Sequence, residues 1–485
     1  MEPIFELPHR NRSDSNQPKA QAVYELLKSA ILCGELSSGC RLPPTRTSGK
    51  RFGLSRSTMV SIYERLATED LIEARRGSGT FVALRPDRVH PPDVLAEKPS
   101  PPSWLAESLG HKTRQWQNRA AHRQPGTDFE LRPGRVDPKQ FPFDRFRRSM
   151  AKALRQMERS PANYELEQLN QGDHRFRRAI ADHATLMRAL VCDPERILVT
   201  SGAQQALDLL ARTLVVSGST VVAIEDPCFG PLVEPFISAG ARIHRIPVDR
   251  EGMVVDLIPD DTKLVCVAPS SQFPLGITMS ANRRHQLVAL ARDRNVLIIE
   301  DDYGGELRTG GSPLKTLYSH DPSNVFYIGT FSVSMFPSFR LGFVVSPEWA
   351  MLPLVRAKSH NDWQSSSVVQ AAAAAFIIDG YLSAHIAKMR TIYKGRKLAV
   401  INAIDGSFGE LLRPIPSAYG VHLAAVGNPT IDWQSVSSRA QHAGVQVFSL
   451  AQFYAQVPAP GLVFGVGVEP EERLRAAVER LASLI

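Results

Sequence analysis

The stretch GTFSVSMFPSFRLGF, residues 329–343, lies at the end of an apolar run. The fold of the surrounding region can be predicted by starting from this stretch. The stretch supplies the hydroxyl groups of Thr330 and Ser332 and the guanidinium of Arg340. Such groups donate hydrogen bonds to anions, and charged donors do so most strongly. The sequence therefore predicts an anion cradle formed by these three side chains. Val333, in the middle of the cradle, offers neither a nucleophile nor a titratable proton.

Strand-like runs alternate with helical segments through the region that contains the anion cradle. The runs are short, rich in β-branched residues and end in turn or polar residues: RILVTSG, STVVAIEDP, TKLVCVAPS, NVLIIEDD and NVFYIGTFS. Segments such as GAQQALDLLARTLV and SANRRHQLVALARDR lie between them and have the pattern of amphipathic helices. This alternation predicts a largely parallel sheet covered by helices. We expect an α/β domain over residues 136–485.

A smaller module precedes this domain, over residues 17–83. QAVYELLKSAILCGEL has the pattern of an amphipathic helix, a short basic helix follows, and Ser55 is a natural N-cap for a third helix. LIEARRGSGTFVA then predicts two strands around a tight turn. Three helices followed by a hairpin indicate an α+β winged helix-turn-helix. A small helical domain for dimerisation or protein contact is the alternative.

The charges of the smaller module favour binding to DNA. In a helix-turn-helix the recognition helix enters the major groove, so we expect Arg56, Ser57 and Ser61 to contact base edges. Basic side chains of the second helix and of the hairpin turn are expected to contact phosphates; they are Arg46, Lys50, Arg75 and Arg76. Phosphate contacts make binding salt-dependent. The predicted partner is a double-stranded DNA operator.

The composition of the whole chain is compatible with this arrangement. The 485 residues have a formal net charge of +8 and a pI of about 9.3, which suits a polyanionic partner or a solvated basic surface. Residues 84–135, rich in Pro, Arg and polar side chains, are expected to be a linker. The five cysteines are scattered and form no zinc-like cluster, so no metal site is predicted. No apolar run is long enough to span a bilayer and the N-terminus lacks a secretory pattern; we expect a cytoplasmic protein without membrane contact.

Two segments of the smaller module carry a family resemblance: AILCGELSSGCRLPPTR and GLSRSTMVSIYERLATEDLIEARRGSGTFV. They resemble the GntR family of bacterial regulators. In the larger domain, TSGAQQALDLL, EDPCFG, IIEDDYGGELR and the stretch that holds the anion cradle are together similar to the fold type I aminotransferase domain, which binds pyridoxal phosphate. A chain that joins both modules resembles the MocR/GabR-type regulators.

This resemblance implies a role for each residue of the larger site. The backbone amides of Ala203 and Gln204 bind the cofactor phosphate together with the anion cradle, and Phe229 stacks on the pyridine ring. Asp301 bonds the pyridine nitrogen, and Tyr303 contacts the phenolic oxygen. Regulators of this type sense pyridoxal phosphate, or an amine that reacts with it, as a small-molecule effector. The resemblance also implies a head-to-tail homodimer in which each DNA-binding module packs on its partner's large domain.

Two positions depart from the aminotransferase pattern. Val333 stands where the motif G-T-F-S-K-[ST] has the lysine that bonds the cofactor covalently and moves protons. Val463, within GLVFGVG, stands where an arginine clamps the substrate carboxylate. We therefore expect no catalytic residue, no transaminase activity and, for pyridoxal phosphate, no mode of binding other than a non-covalent one.

Three interpretations of the anion cradle stay open. The domain binds pyridoxal phosphate without a covalent bond, it binds another phosphorylated or anionic ligand, or it is a ligand-free dimerisation scaffold. For the whole chain the prediction is a DNA-binding transcriptional regulator. The alternatives are a pyridoxal-phosphate-dependent aminotransferase with a DNA-binding arm, and a structural partner protein without either activity. The residue at position 333 discriminates between the regulator and the enzyme.

Overall fold

The computed structural model describes residues 18–83, 127–160, 170–308, 315–418 and 420–485. Contacts divide the chain into two compact units, Met1–Ser108 and Leu109–Ile485. Most of the predicted linker lies outside the described residues. Its last part, residues 127–135, is described and belongs to the larger unit, where Phe129–Glu130 pairs with Val445–Gln446 as a short parallel ladder.

The smaller unit has the predicted order of three helices and a hairpin. Its elements are α1 (Lys19–Leu32), β1 (Arg41–Leu42), α2 (Thr45–Phe52), α3 (Arg56–Thr68), β2 (Ile72–Arg75) and β3 (Gly79–Val82). The strands form an antiparallel sheet in the order β1-β3-β2. The hydroxyl of Ser55 accepts a hydrogen bond of 3.1 Å from the backbone N–H of Thr58, which confirms Ser55 as the N-cap of α3. Met59 and Leu66 of α3 are fully buried in the core of this unit, beside Tyr24 and Leu27 of α1.

An 8-stranded sheet forms the centre of the larger unit. After β4 (Phe129–Glu130), its strands in chain order are β5 (Ile197–Thr200), β6 (Val221–Asp226), β7 (Arg242–Asp249), β8 (Gly252–Met253), β9 (Leu264–Val267), β10 (Leu297–Asp302), β11 (Val325–Thr330) and β12 (Gly342–Val345). In space the order is β5-β12-β11-β10-β9-β6-β7-β8. The sheet is mostly parallel, as predicted, but β12 runs antiparallel to both of its neighbours and β8 runs antiparallel to β7.

Helices cover both faces of this sheet and also pack on the smaller strands near the C-terminus. They are α4 (Phe143–Arg159), α5 (His174–Arg188), α6 (Ala203–Leu214), α7 (Gly230–Ser238), α8 (Ala281–Arg294), α9 (Leu317–His320), α10 (Glu348–Asp362), α11 (Ser367–Ile378), α12 (Tyr381–Phe408), α13 (Trp433–His442) and α14 (Glu471–Ala482). Successive residues of a strand point to opposite faces. Accordingly Leu198 packs in the core under α6, α7 and α10, whereas Val199 packs in the core on the other face.

A second, antiparallel sheet lies near the C-terminus. It contains β13 (Leu412–Pro414), β14 (His422–Gly427), β16 (Phe448–Ser449) and β17 (Gly461–Gly465), with β15 (Val445–Gln446) pairing β4. Over the described residues no single helix is long and apolar enough to cross a membrane, although α11 and the helical segment Tyr381–Leu411, bent by 72°, meet that test as a pair.

The topology brings the predicted site to one edge of the large sheet. The parallel strands β5, β6, β9, β10 and β11 end at the same edge, because β12 is antiparallel to both β5 and β11. Ligands of open α/β sheets bind outside the carboxyl ends of the strands. The loops that follow these five strands therefore form the candidate site.

Candidate functional site

The anion cradle is assembled in the structure. Thr330 ends β11, and its hydroxyl donates a hydrogen bond of 3.0 Å to the hydroxyl of Ser332. The backbone N–H of Ser332 donates back to the Thr330 hydroxyl at 3.2 Å. Arg340 is exposed just before β12, and its Nη2 donates a hydrogen bond of 2.6 Å to the backbone oxygen of Ser201. The antiparallel strand β12 thus brings the guanidinium to the loop that follows β5.

Residues 201–204, the turn after β5 and the first two residues of α6, complete the cradle; they are called loop 201–204. Gly202 has φ +86°, and a Cβ at this position would lie 3.0 Å from Nη2 of Arg340. Ala203 is the first residue of α6, so its amide and that of Gln204 belong to the unsatisfied first turn of a helix, where anions bind. The side chain of Gln204 does not face the cradle, since its Nε2 donates 3.0 Å to the backbone oxygen of Pro231.

A buried carboxylate lies at the end of the neighbouring strand β10. In the described part of the chain, no donor reaches the buried Oδ1 atom of Asp301. Burial, and secondarily the charge of Asp302, raises the pKa of Asp301 to about 7. Burial also raises the pKa of Glu225, near the end of β6, to about 8, and Asp301 adds to that rise. Sequence reasoning missed Glu225, the first residue of the EDPCFG segment, which directly precedes the cis peptide bond between Asp226 and Pro227.

Aromatic side chains lie in the loops that follow β6, β9 and β10. The hydroxyl of Tyr303 lies 3.4 Å from the hydroxyl of Ser271, and burial raises the pKa of Tyr303. Phe229 is half exposed at 50% and meets Phe273 edge-on, with ring centroids 5.6 Å apart. The Phe229 ring is therefore accessible to a ligand. His422 of β14 stacks near Tyr303 at 6.2 Å, and nothing in the sequence pattern indicated it.

Val333 is partly buried and lines a cavity behind the cradle. The cavity walls also include Arg188, Tyr303, Glu306, Thr330 and Phe343. The guanidinium of Arg188 is committed to a buried ion pair with Asp302, at 2.5 Å between Nη2 and Oδ2. At position 333 the cavity therefore receives two methyl groups and no amine.

The side chain at position 463, where the family resemblance implies an arginine in the enzymes, is apolar. Val463 is fully buried in β17 and packs with Leu275, Ala424 and Leu450. Lys397 of α12 is buried, and its burial lowers its pKa to about 8. Burial, and secondarily the charge of Lys397, lowers the pKa of His422 to about 3, so this imidazole is neutral.

The predicted DNA-contacting side chains are all exposed on the smaller unit. They are Arg46 and Lys50 on α2, Arg56, Ser57 and Ser61 on α3, and Arg75 and Arg76 at the hairpin turn. Arg75 differs from the others because its Nε donates a hydrogen bond of 2.8 Å to Glu73, which neutralises part of its charge. In the described segments no group of three or more His, Cys, Asp or Glu side chains could hold a metal ion.

Fold and site together define a winged helix-turn-helix joined to an aminotransferase-like domain. Residues 19–82 match the family "Bacterial regulatory proteins, gntR family", and residues 140–481 match "Aminotransferase class I and II". The probable rhizopine catabolism regulatory protein MocR of Rhizobium meliloti is 31% identical over 477 residues, covering 97% of this chain and 94% of the relative. The chain belongs to the MocR-type regulators: it is a DNA-binding transcriptional regulator built from a gntR-family domain and a class I and II aminotransferase domain.

Two further similarities bear on the two domains. The HTH-type pyridoxine biosynthesis transcriptional regulator PdxR of Corynebacterium glutamicum is 28% identical over 484 residues, covering 100% of this chain and 98% of the relative. The crystal structure of a multiple substrate aminotransferase from Thermococcus profundus superposes with a TM-score of 0.68 and 26% identity, covering 75% of this chain and 92% of that chain. The fold of the larger unit is thus that of a pyridoxal-phosphate-binding family.

The residues present fit this cofactor in all but one respect. A pyridine nitrogen needs an acid partner, and the buried Oδ1 of Asp301 has none in the described chain. A phosphate needs donors and room, which the anion cradle and the glycine at 202 supply. A covalent bond needs an amine at the cavity wall, where the chain has Val333.

Proposed function

We propose that the aminotransferase-like domain of this regulator is a sensor that binds pyridoxal phosphate reversibly, without a covalent bond. Asp301 and Tyr303 hold the ring, and Phe229 covers one of its faces. The anion cradle and the amides of Ala203 and Gln204 hold the phosphate. Occupation of the site then changes the affinity of residues 17–83 for an operator. We propose further that the chain acts as a head-to-tail homodimer in the cytoplasm, without membrane contact.

The observation that carries this proposal is the unpartnered carboxylate oxygen of Asp301. A buried polar atom without a protein partner is costly, and it calls for a partner such as a water, an ion or a ligand. A protonated ring nitrogen is a matched partner for a carboxylate whose pKa is raised to about 7. The same strand edge carries the donors of the anion cradle, so one ligand with a basic ring and a phosphate satisfies both.

Val333 is the basis for proposing a sensor and not an enzyme. Pyridoxal phosphate, when bound, supplies an electrophilic carbonyl and an electron sink. The protein part of transamination is a general acid–base at the cofactor, which is worth about 10²–10⁴-fold in rate. An isopropyl group performs neither covalent capture nor proton transfer. We therefore propose that position 333 is the site of the missing lysine and that transaminase turnover is absent.

The test of ligand binding is a pyridoxal phosphate titration of the full chain, followed by absorbance. We expect saturable binding that dialysis reverses, and no mass increase after borohydride treatment. Arg340→Ala and Asp301→Ala should lose binding, whereas Arg356→Ala, an exposed residue of α10, should not. A protein that ignores pyridoxal phosphate, or that retains it on a lysine after borohydride, contradicts the proposal.

The test of coupling is an operator binding assay at fixed salt with and without the ligand. DNA from the region upstream of the regulator's own gene is the probe, and an unrelated fragment of equal length is the control. We expect the ligand to change the dissociation constant for the specific probe at least fivefold, which is the lower end of typical allosteric coupling. An unchanged dissociation constant with a saturated ligand site would show that the sensor is not connected to DNA binding. Sedimentation of the same samples tests the homodimer.

A further inference from the structure

A fully buried lysine lies behind loop 201–204. Lys358 of α10 has no exposed side-chain surface, and its Nζ lies 2.6 Å from Oδ1 of Asp362. The same Nζ donates to the hydroxyl of Ser365 at 3.2 Å and reaches Oε1 of Gln205 at 3.4 Å. Burying an ammonium is costly unless its hydrogen bonds are satisfied, so a lysine in this position has a structural or functional purpose.

Two of the three partners of Lys358, Gln205 and Ser365, also bind Ser201, the first residue of loop 201–204. Oε1 of Gln205 accepts a hydrogen bond of 2.7 Å from the backbone N–H of Ser201. The hydroxyl of Ser365 lies 3.2 Å from the hydroxyl of Ser201. Since Arg340 donates to the backbone oxygen, all three polar groups of Ser201 are fixed, two of them through side chains that meet at Lys358.

The other end of this network is a strained turn. Gln205 also donates 2.8 Å to Oδ2 of Asp362, the last residue of α10. The next residue, Trp363, has φ +61° and ψ −67°. The backbone N–H of Gln364 donates a hydrogen bond of 2.7 Å to the backbone oxygen of Asp362. These angles are close to those of the rare γ-turn with φ about +75° and ψ about −65°. Strained backbone of this kind persists where its surroundings hold it, and it concentrates at ligand clamps and switches.

We propose that Lys358 is a positioning residue of the phosphate site, and that it couples occupation of the anion cradle to the turn at Trp363. A bound phosphate accepts hydrogen bonds from loop 201–204 and from Arg340 and thereby restricts their positions. Through Ser201, this restriction extends by way of Gln205 and Ser365 to Lys358 and Asp362. The turn at Trp363, which is 55% exposed, is thereby held in its strained form when the site is occupied. This inference rests on the proposed binding of a phosphate-bearing ligand.

The test measures two quantities on the full chain: the affinity for pyridoxal phosphate, and the ligand-dependent protection of the backbone amides of residues 361–366 by hydrogen–deuterium exchange. Ser365→Ala removes one link without removing a buried charge. Lys358→Met removes the centre of the network, and a thermal unfolding curve shows whether this variant folds. Arg356→Met is the matched control, because it removes an exposed positive charge from the same helix.

The expected result is protection of residues 361–366 by the ligand in the wild type and in Arg356→Met. In Ser365→Ala we expect an affinity weakened about 3–10-fold, the effect of one typical hydrogen bond, and reduced protection. In Lys358→Met we expect a loss of more than tenfold and no protection. A merely structural role would lower the unfolding temperature and leave the ligand-dependent protection unchanged.

Other outcomes separate this inference from the proposed function. If the wild type binds pyridoxal phosphate, Arg340→Ala does not, and Ser365→Ala and Lys358→Met match the wild type in both readouts, the coupling is overturned and the sensor stands. If pyridoxal phosphate does not bind, the proposed function fails, and inorganic phosphate becomes the probe. Protection of the same amides by phosphate, lost in Ser365→Ala, supports the positioning role; no protection by phosphate overturns it.

Discussion

Gly202 and Arg340 are in contact across two strands: a Cβ on Gly202 would lie 3.0–3.1 Å from three atoms of the Arg340 guanidinium. The anion cradle therefore requires a glycine without a side chain at position 202 as well as its hydrogen-bond donors. The φ of Gly202, +86°, further restricts the position to glycine. On the far side, a Cβ on Gly342 would lie 2.9 Å from the backbone of Gly202, so two glycines permit the close approach of β12 to loop 201–204.

Gly202→Ala should abolish phosphate binding while the chain still folds. The added methyl displaces the guanidinium, and the positive φ adds strain of about 1 kcal/mol or more. The measurement is the pyridoxal phosphate dissociation constant beside the unfolding temperature. Gly218→Ala is the matched control, because Gly218 also has a positive φ, +75°, but no atom lies within 4 Å of its added methyl. Equal affinities in the two variants would contradict the role of Gly202.

Asp301→Asn should lose the ligand and gain stability at alkaline pH. The folded chain keeps a proton on Asp301 up to a pH of about 7, whereas the unfolded chain releases it near the ordinary value of 3.8. Asp301 therefore lowers the free energy of unfolding as pH rises from 4 towards 7. The uncharged amide of the variant does not lose stability in this way. We expect a stabilisation on the order of 1–3 kcal/mol at pH 8 and little change at pH 4.

The control for the Asp301→Asn prediction is Glu300→Gln, a change of the preceding residue. Glu300 is fully buried, its pKa is raised to about 7 by burial, and it accepts 3.0 Å from the backbone N–H of Tyr318. Because neighbouring strand residues point to opposite faces, Glu300→Gln should alter stability and leave ligand binding intact. Urea unfolding at pH 4, 6 and 8, with a parallel titration, checks both variants. Loss of ligand in Glu300→Gln alone would contradict the assignment of Asp301.

Val333→Lys should restore covalent capture. The side chain enters a cavity whose walls include Tyr303 and Thr330, and burial lowers the pKa of an amine, which activates it as a nucleophile. Borohydride treatment with pyridoxal phosphate should add the cofactor mass to the peptide that contains position 333. Ser338→Lys, exposed in the same turn, should remain unlabelled. We expect no transaminase activity, because Val463 supplies no carboxylate clamp. Absence of the adduct would place the cofactor carbonyl away from position 333.

Arg76→Ala should weaken DNA binding more than Arg75→Ala. Part of the charge of Arg75 is neutralised by Glu73 at 2.8 Å, and the described residues show no such pair for Arg76. Each lost phosphate contact reduces the slope of log K against log salt by about 0.9. Titration of an operator fragment at several salt concentrations checks this. Equal slopes for both variants would contradict the difference between the two arginines.

The sequence predicted the strands and the edge of the sheet where the site lies, because local patterns and turn residues determine both. RILVTSG, NVLIIEDD and NVFYIGTFS each contain a strand, and their last residues meet at one edge because parallel strands end together. The binding roles of Asp301, Tyr303 and the anion cradle remain predictions. Their proximity, however, is a feature of the structure.

Other parts of the site were beyond sequence reasoning. The antiparallel direction of β12 follows from long-range packing, and so does the contact of Arg340 with Ser201, 139 residues away. Lys358 and His422 carry no local signal, since lysine is mostly exposed and histidine is intermediate in burial, so neither pattern marks a buried residue at a site. Only tertiary structure shows that both are buried beside the site.

The isopropyl group at position 333 also determines how fast such a regulator returns to its ligand-free state. An enzyme of this fold is regenerated by chemistry, but here the ligand enters and leaves unchanged under the proposed function. Occupancy is then an equilibrium quantity that follows the free ligand concentration upward and downward alike. The time needed to reset the transcriptional response is then set by the rate at which the ligand dissociates from its hydrogen bonds. No reaction step has to be completed first.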